Sequence, residues 1–417
     1  MSAKRIFIAT VCLLLGLFEF ACDSARPATR LRLGHPVEVG MDAARLDRIG
    51  DVIREDIAAG KLPGATVVVG RKGTIVYSEA FGNAQLVPEP EPMTINKIFD
   101  MASVSKPVAT ATSVMILVEE GKIRLMDPVN LYIPEFRNYT DRDGNEEVIR
   151  IFHLLTHTSG LPPYTDAPPL REKYGAPCPE QVIQTIAALD RTCPPGTEFH
   201  YSCLGFITLA EIVHRVSGQT IDAFTRDRIF IPLGMKSSTY CPPDSWKRWI
   251  VSTEVFDGQP LRGFVHDPLA QLMDGKSGNA GLFSSAYDLA IFCQMLLNGG
   301  SYGDVRILSP LTVKAMTTVY EPLAFAGRGL GWDVRSDYSS NLGDIFPVSS
   351  FGHTGFTGTS ICIDPGTQTF VILLTNRVHM PDGSVIPLRS KVANIVAASI
   401  VDPGVLSLKN RVLGILQ

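Results

Sequence analysis

Residues 101–118 read Met-Ala-Ser-Val-Ser-Lys-Pro-Val-Ala-Thr-Ala-Thr-Ser-Val-Met-Ile-Leu-Val, and they hold the only Ser-x-x-Lys in the chain, Ser103 to Lys106. Proline is tolerated near a helix start and not deep inside. Pro107 followed by the apolar run 108–118 therefore predicts a helix that begins close to Ser103. Residues three apart share a helical face, which sets the Lys106 amine beside the Ser103 hydroxyl. A lysine withdrawn from water can lose its proton and act as a base. The free amide groups of a helix start can also receive an oxyanion. Alone the pattern is weak, because a chain of this composition holds about one Ser-x-x-Lys by chance. A surface helix with an incidental pair is the plain alternative.

Working outward, Leu46, Ile49, Ile53 and Ile57 recur at helical spacing, with Gly60 as a stop. Stretches 65–70 and 74–81 are β-rich and joined by Arg71, Lys72 and Gly73, which reads as a hairpin. From 103 to 300 the chain is mostly helical, with loops marked by Pro and Gly. Its clearest helix is 284–298, capped by Ser284 or Ser285, with Asp288 in the first turn and Gly299 at the end. Ser309-Pro310 opens another helix. Strands return at 359–363 and 369–375 around the turn Asp364-Pro365-Gly366, and 391–401 reads as a closing helix. The N-terminal hairpin must then pair with C-terminal strands around a helical insert. The expected class is α+β, an antiparallel β-sheet flanked by helices with an all-α lobe inserted.

The 417 residues suffice for one large domain, and a net charge of -4 without long like-charge runs gives no indication of nucleic-acid binding. Lys4 and Arg5 precede an apolar run at 6–18, broken by Glu19 and followed by Ala21 and Cys22. That is the layout of a secretory signal, too short for a comfortable membrane span. Cys22 is a candidate lipid-attachment site, although Glu19 and Phe20 fit that pattern poorly. Export is expected, to a periplasmic or envelope-attached location. The expected divisions are a signal segment 1–22, a linker 23–40, a catalytic domain 41–401 and a tail 402–417. Within the domain, a sheet lobe spans 41–102 and 301–401, and a helical lobe spans 103–300.

Six cysteines follow Cys22, at 178, 193, 203, 241, 293 and 362, without metal-type clustering. Cys178 and Cys193 look like a pair, but a helix between them would hold its ends roughly 15 Å apart, beyond the ~7 Å that a disulfide spans. Free, buried thiols are the default for most of them. His153 and His157 have the i, i+4 spacing of a metal site but no third ligand in view, so structural roles are expected. No metal and no cofactor is expected. His266 and Asp267 read as a loop hydrogen-bonding pair, and Trp332 reads equally as core or as pocket wall.

Two further elements give Ser103 and Lys106 their weight. Tyr201-Ser202 lies in Phe-His-Tyr-Ser-Cys-Leu-Gly, 199–205, ahead of an apolar helical run, and Gly352-His353-Thr354-Gly355 precedes the strand 359–363. In this order and spacing the three resemble the penicillin-recognising serine enzymes: class C β-lactamases, related D-alanyl-D-alanine carboxypeptidases, and esterases of the same fold. The segments 153–161 and 278–284 look like signatures of the same family. The resemblance implies Ser103 as the acylated nucleophile, Lys106 as its partner, and Tyr201 as the relay that protonates the leaving group and later activates water. It implies a substrate-lining strand at His353, Thr354 and Gly355, and the amide of Phe356 as second oxyanion donor.

Two positions depart from the family pattern. Cys203 stands where β-lactam hydrolases usually have Asn, and a thiol is a poor hydrogen-bonding substitute. His353 replaces the usual lysine, and a histidine is expected to titrate near neutrality. Both lean away from an efficient β-lactamase and toward an esterase or a D-amino-acid peptidase or carboxypeptidase. The alternatives are β-lactam hydrolysis, or a non-catalytic protein that binds peptidoglycan peptides. The expected partner is a small-molecule or peptide substrate, with membrane attachment through a lipid on Cys22. The sequence leaves the oligomeric state open.

Overall fold

The computed structural model describes residues 29–401; the expected signal segment, the candidate lipid site Cys22 and the expected tail at 402–417 lie outside them. The main sheet has seven strands, numbered here in chain order. Along the sheet run Arg32–Leu33 (β1), Thr74–Gln85 (β3), Gly64–Arg71 (β2), Thr369–Thr375 (β7), Ser360–Asp364 (β6) and Phe351–Thr354 (β5). Glu91–Pro92 (β4) pairs with β3 off this path. Only the β1–β3 pairing is parallel. The N-terminal hairpin β2–β3 thus meets the C-terminal strands through β7, and the helical insert separates them in sequence. Residues 32–39, read from sequence as linker, instead form β1 and a short 3-10 turn, Pro36–Val39. A two-residue strand is too short to show a period-2 pattern.

Successive side chains of a strand face opposite ways. Val67 and Val69 pack with Ile49, Ile53, Leu388 and Val392, which come from the helices Arg48–Ala58 (α1) and Ile386–Ser399. Val68 faces the other side and joins Phe292, Leu296, Phe370 and Ile372. With both faces covered, β2 and β7 read as unbroken apolar runs rather than as alternation. The closing helix starts five residues earlier than 391, because Pro387 sits in its first turn, where proline is allowed.

The helix Ala286–Leu297 settles which serine caps it: Ser285 accepts from Asp288 N, while Ser284 belongs to the strand Leu282–Ser285. That strand forms a small second sheet with Ile98–Asp100 and Thr239–Tyr240. Ile98–Asp100 leads straight into Ser103. Trp332 is fully buried between Phe292 and Phe351, which makes it core and not pocket wall. Cys178 and Cys193 are unbridged, as are the other four described cysteines. His266 and Asp267 hydrogen-bond elsewhere rather than to each other. His266 Nε2 meets Glu254 at 2.8 Å, and Asp267 caps the helix Pro268–Leu272.

Candidate active site

The chain reaches Ser103 through a strained turn. Ala102 has a φ of 46°, which an L-residue with a Cβ rarely adopts. Three contacts hold it there. The Ala102 N–H donates to Asp100 Oδ1 at 2.9 Å, Thr357 Oγ1 donates to the Asp100 carbonyl at 2.8 Å, and Thr359 Oγ1 to the Met101 carbonyl at 2.9 Å. The other Asp100 oxygen accepts from His266 N at 2.7 Å. Beyond the turn come a 3-10 turn Ala102–Val104, a π-turn Lys106–Ala111 and the α-helix Thr112–Glu119. Pro107 lacks an N–H and its ring crowds the preceding turn, which accounts for the wide π geometry in place of a regular helix start.

This arrangement brings Lys106 Nζ to 2.8 Å from Ser103 Oγ. The amine also donates to the Asn279 carbonyl at 3.0 Å and contacts Cys203 Sγ at 3.5 Å, so each of its three N–H directions finds a partner. Lys106 is wholly buried. Burial pulls its pKa down, but Cys203 and Tyr201 beside it pull the other way, and the net shift is upward. The direction runs against a lysine made neutral by desolvation alone and favours the charged form in the resting site.

The Tyr201 ring stands 5.1 Å from Lys106 Nζ, stacks on Tyr338 at 4.9 Å and lies 4.4 Å from the ring of His157. Ser202, next in sequence, caps the helix Cys203–Ser217, and its N–H donates to His157 Nδ1 at 3.0 Å. The neutral His157 ring therefore carries its proton on Nε2. Burial, then the charges of Arg328 and Lys106, hold its pKa well below the ordinary value. His153 likewise uses Nδ1 to accept from Arg150 N, and burial takes its pKa to about 4. With both rings engaged by backbone, these histidines serve structure.

On the sheet side, Thr354, Gly355 and Phe356 wall a cleft of about 370 Å³ together with Ser103, Tyr201, Tyr338, Arg377 and Arg389. A Cβ on Gly355 would come within 2.1 Å of Thr359 Oγ1 and 2.5 Å of the Met101 carbonyl, so only glycine fits where the strand crosses the Ser103 turn. The Phe356 ring is 62 % exposed, and its carbonyl accepts from Arg377 Nε at 2.8 Å. Arg389 is buried and donates to the carbonyls of Gly355 and Thr359.

Cys203 and His353, expected to line the substrate, are not among the residues that wall this cleft. Cys203 rests on Lys106, and buried His353 donates from Nδ1 to the Thr354 carbonyl at 2.8 Å. Burial, then Arg328 and Lys106, put the His353 pKa well below its ordinary value, so it is neutral at pH 7 and does not titrate near neutrality as expected. Tyr338, Arg377 and Arg389 were not foreseen from sequence. Each lies far from Ser103 in the chain and carries no local motif.

A larger cavity, about 480 Å³, lies on the helical lobe between Glu180, Glu211, His214 and Met273, but none of the residues described above reaches it.

The family model "Beta-lactamase" matches residues 49–393. An N-acetylmuramyl-L-alanine amidase of Bacillus subtilis (strain 168) is 32% identical over 415 residues, covering 91% of this chain and 92% of that protein. A Salmonella enteritidis PT4 protein, provisionally named a D-alanyl-D-alanine carboxypeptidase, is also 32% identical, with 91% and 92% covered. Among solved structures, EstCE1, a hydrolase with promiscuous acyltransferase activity, superposes with a TM-score of 0.69 at 24% identity, over 85% of this chain and 99% of that one. A class C β-lactamase superposes with a TM-score of 0.67 at 19% identity, over 88% and 99%. The sheet, the helical insert and these matches across most of the chain lead to one conclusion: the protein belongs to the β-lactamase family, with the fold of β-lactamases and penicillin-binding-protein homologues.

Proposed function

We propose that the protein is a serine hydrolase that forms an acyl-enzyme on Ser103 and cleaves an amide in an anionic, peptide-like substrate. The observation that carries this reading is a Ser103–Lys106 contact of 2.8 Å in a cleft walled by Arg377 and Arg389. Arg377 and Arg389 donate to backbone carbonyls, with Glu254 acting on Arg377 only electrostatically, so the cleft offers positive charge to a carboxylate on the substrate. The amidase and carboxypeptidase names of the relatives point to the same substrate class. A cell-envelope location, proposed from the N-terminal segment, fits such a substrate.

In this mechanism Ser103 Oγ attacks the carbonyl carbon, and its proton passes into the Lys106–Tyr201 pair. Lys106 holds its own proton at rest, so the pair must first lose one, and it titrates as a unit. The proton taken from Ser103 then goes to the leaving amine, and water releases the acyl group by the reverse path. The amides of Ser103 and Phe356 are the proposed oxyanion donors.

The test is turnover of muramyl-peptide and D-alanyl-D-alanine amides beside neutral p-nitrophenyl esters and nitrocefin. Amide cleavage with a KM raised in Arg389→Gln supports the proposal; ester cleavage alone would replace it with the second reading. That reading, a carboxylesterase, draws on Cys203 in place of an amide-binding asparagine and on the likeness to EstCE1. β-Lactam hydrolysis is disfavoured by Cys203 and the neutral His353. A non-catalytic peptide binder has no physical need for the Lys106–Ser103 contact.

A further inference from the structure

Outside the cleft, in the loop that ends at Tyr201, the Cys193 thiol, the Glu198 carboxylate and a His200 ring nitrogen lie within 4.8 Å of one another. We propose that Cys193, Glu198 and His200 form a binding site for a zinc-type divalent cation. Thiolate, imidazole and carboxylate are all ligands that zinc accepts, and three of them plus a water complete a tetrahedron. Ligand atoms on such an ion, with bonds of about 2.0–2.3 Å, stand roughly 3.3–3.8 Å apart. His200 Nε2 is already 2.9 Å from Glu198 Oε2. The remaining adjustment is about an ångström. The side chains of Glu198 and His200, 59% and 35% exposed, are free to make it.

The backbone holds this loop without help from an ion. Thr192 N donates to the Gly160 carbonyl at 2.8 Å, Gly196 N to Thr158 at 2.7 Å and His200 N to His157 at 2.9 Å. The donors are thus gathered in advance, which lowers the ordering cost of binding. Zinc takes a thiol as thiolate, so binding would release the Cys193 proton. A surface His–Glu contact and a packed thiol each have a structural reading, but neither requires the three donors to converge within 4.8 Å of one another. A bound ion would tie Cys193 to the neighbour of Tyr201 and stiffen the segment that carries it.

The experiment uses the full chain, stripped with a chelator and titrated with Co²⁺ as an optical probe, then with Zn²⁺ in competition. One equivalent of Co²⁺ should give a thiolate-to-cobalt absorption band, which Zn²⁺ displaces while raising the thermal midpoint. Cys193→Ser should abolish the band. His200→Gln and Glu198→Gln should weaken binding at least about tenfold. Cys203→Ser and Cys241→Ser should keep it. No stoichiometric band, a band that survives Cys193→Ser, or one lost in Cys203→Ser overturns the proposal. If Cys193→Ser does not fold, His200→Gln at the surface decides, and unchanged affinity there overturns it equally. Since binding is read directly, the outcome does not depend on the proposed hydrolysis.

Discussion

The backbone N–H of Ser202 donates to Nδ1 of His157 across 3.0 Å, and the His157 ring lies 4.4 Å from that of Tyr201. The histidine therefore fixes both the backbone beside the tyrosine and the plane of its ring. His157 itself has a φ of 59°, which suits Asn better than most residues.

His157→Ala should lower kcat about tenfold to hundredfold with little change in KM, and should cost about 2–4 kcal/mol of stability from the lost buried ring. His157→Asn supplies an acceptor oxygen near the place of Nδ1 and tolerates the positive φ, so it should recover much of kcat. Steady-state kinetics on the two variants checks this. Equal loss in both would mean that volume, and not the hydrogen bond, positions Tyr201.

The raised Lys106 pKa predicts the pH profile. A protonated Lys106 must release its proton, directly or through Tyr201, before Ser103 can lose its own. kcat/KM for a neutral ester should keep climbing as pH rises above neutrality. The Cys203 sulfur lies 3.5 Å from the Lys106 amine, so Cys203→Ala, which removes that contact, should shift the climb to lower pH. A plateau already reached at neutrality in the wild type would contradict the charged resting state. In linkage, a raised lysine pKa contributes stability that is present below the unfolded value and lost as pH rises through the folded one.

The buried histidines set acid stability with the opposite sign. His153, His157, His353 and His379 all have depressed pKa values, chiefly through burial. Their contribution is present above the unfolded value of 6.5 and is lost as pH falls toward about 4, where His153 titrates. Each adds a slope of up to about 1.4 kcal/mol per pH unit in that window. Asp288, pushed up to about 6 by burial, and Asp100 oppose them, since their folded forms take up protons first. Four depressed histidines outweigh two raised carboxyls, so the unfolding midpoint should drop between pH 7 and 5, and His353→Gln should flatten the drop. Denaturant melts across that range are the measurement, and a midpoint that rises on acidification would refute the assignment.

Much of this site was legible because it is local. Ser103 and Lys106 sit one turn apart, and Gly355 stood out only through the family resemblance, its close crossing with Thr359 and Met101 being visible in the structure alone. The hairpin β2–β3 and the strands β6 and β7 were visible as β-rich runs bounded by turn residues. Charge state was not legible. The upward shift of Lys106 draws on Cys203, which is 97 positions away in sequence, and the depressed pKa of His353 on burial, then on Arg328. Arg377 and Arg389 reach the cleft only through tertiary packing against the strand of Gly355. The strand β1 was missed because two residues show no period.

Cys203 gives a substrate-selective prediction. An asparagine at this position would offer an amide to the side chain of an acylamido β-lactam, where the thiol offers a weak donor. An unpaired polar group costs about 1–3 kcal/mol, or roughly tenfold to hundredfold in rate. Cys203→Asn should improve acylation by acylamido β-lactams by about that factor, with a smaller change for p-nitrophenyl esters. Because the thiol contacts Lys106 rather than the cleft wall, an equal effect on both substrates would assign Cys203 to the base alone.

The central claim is that Ser103 is the residue acylated, and intact-protein mass spectrometry after a fluorophosphonate pulse tests it most directly. The account predicts a single adduct, mapped by peptide sequencing to Ser103, formed at least about a hundredfold more slowly in Lys106→Ala. It also predicts that Ser103→Ala, folded as judged by circular dichroism, loses both the adduct and all turnover. An adduct on another serine, or turnover that persists in Ser103→Ala, would contradict it.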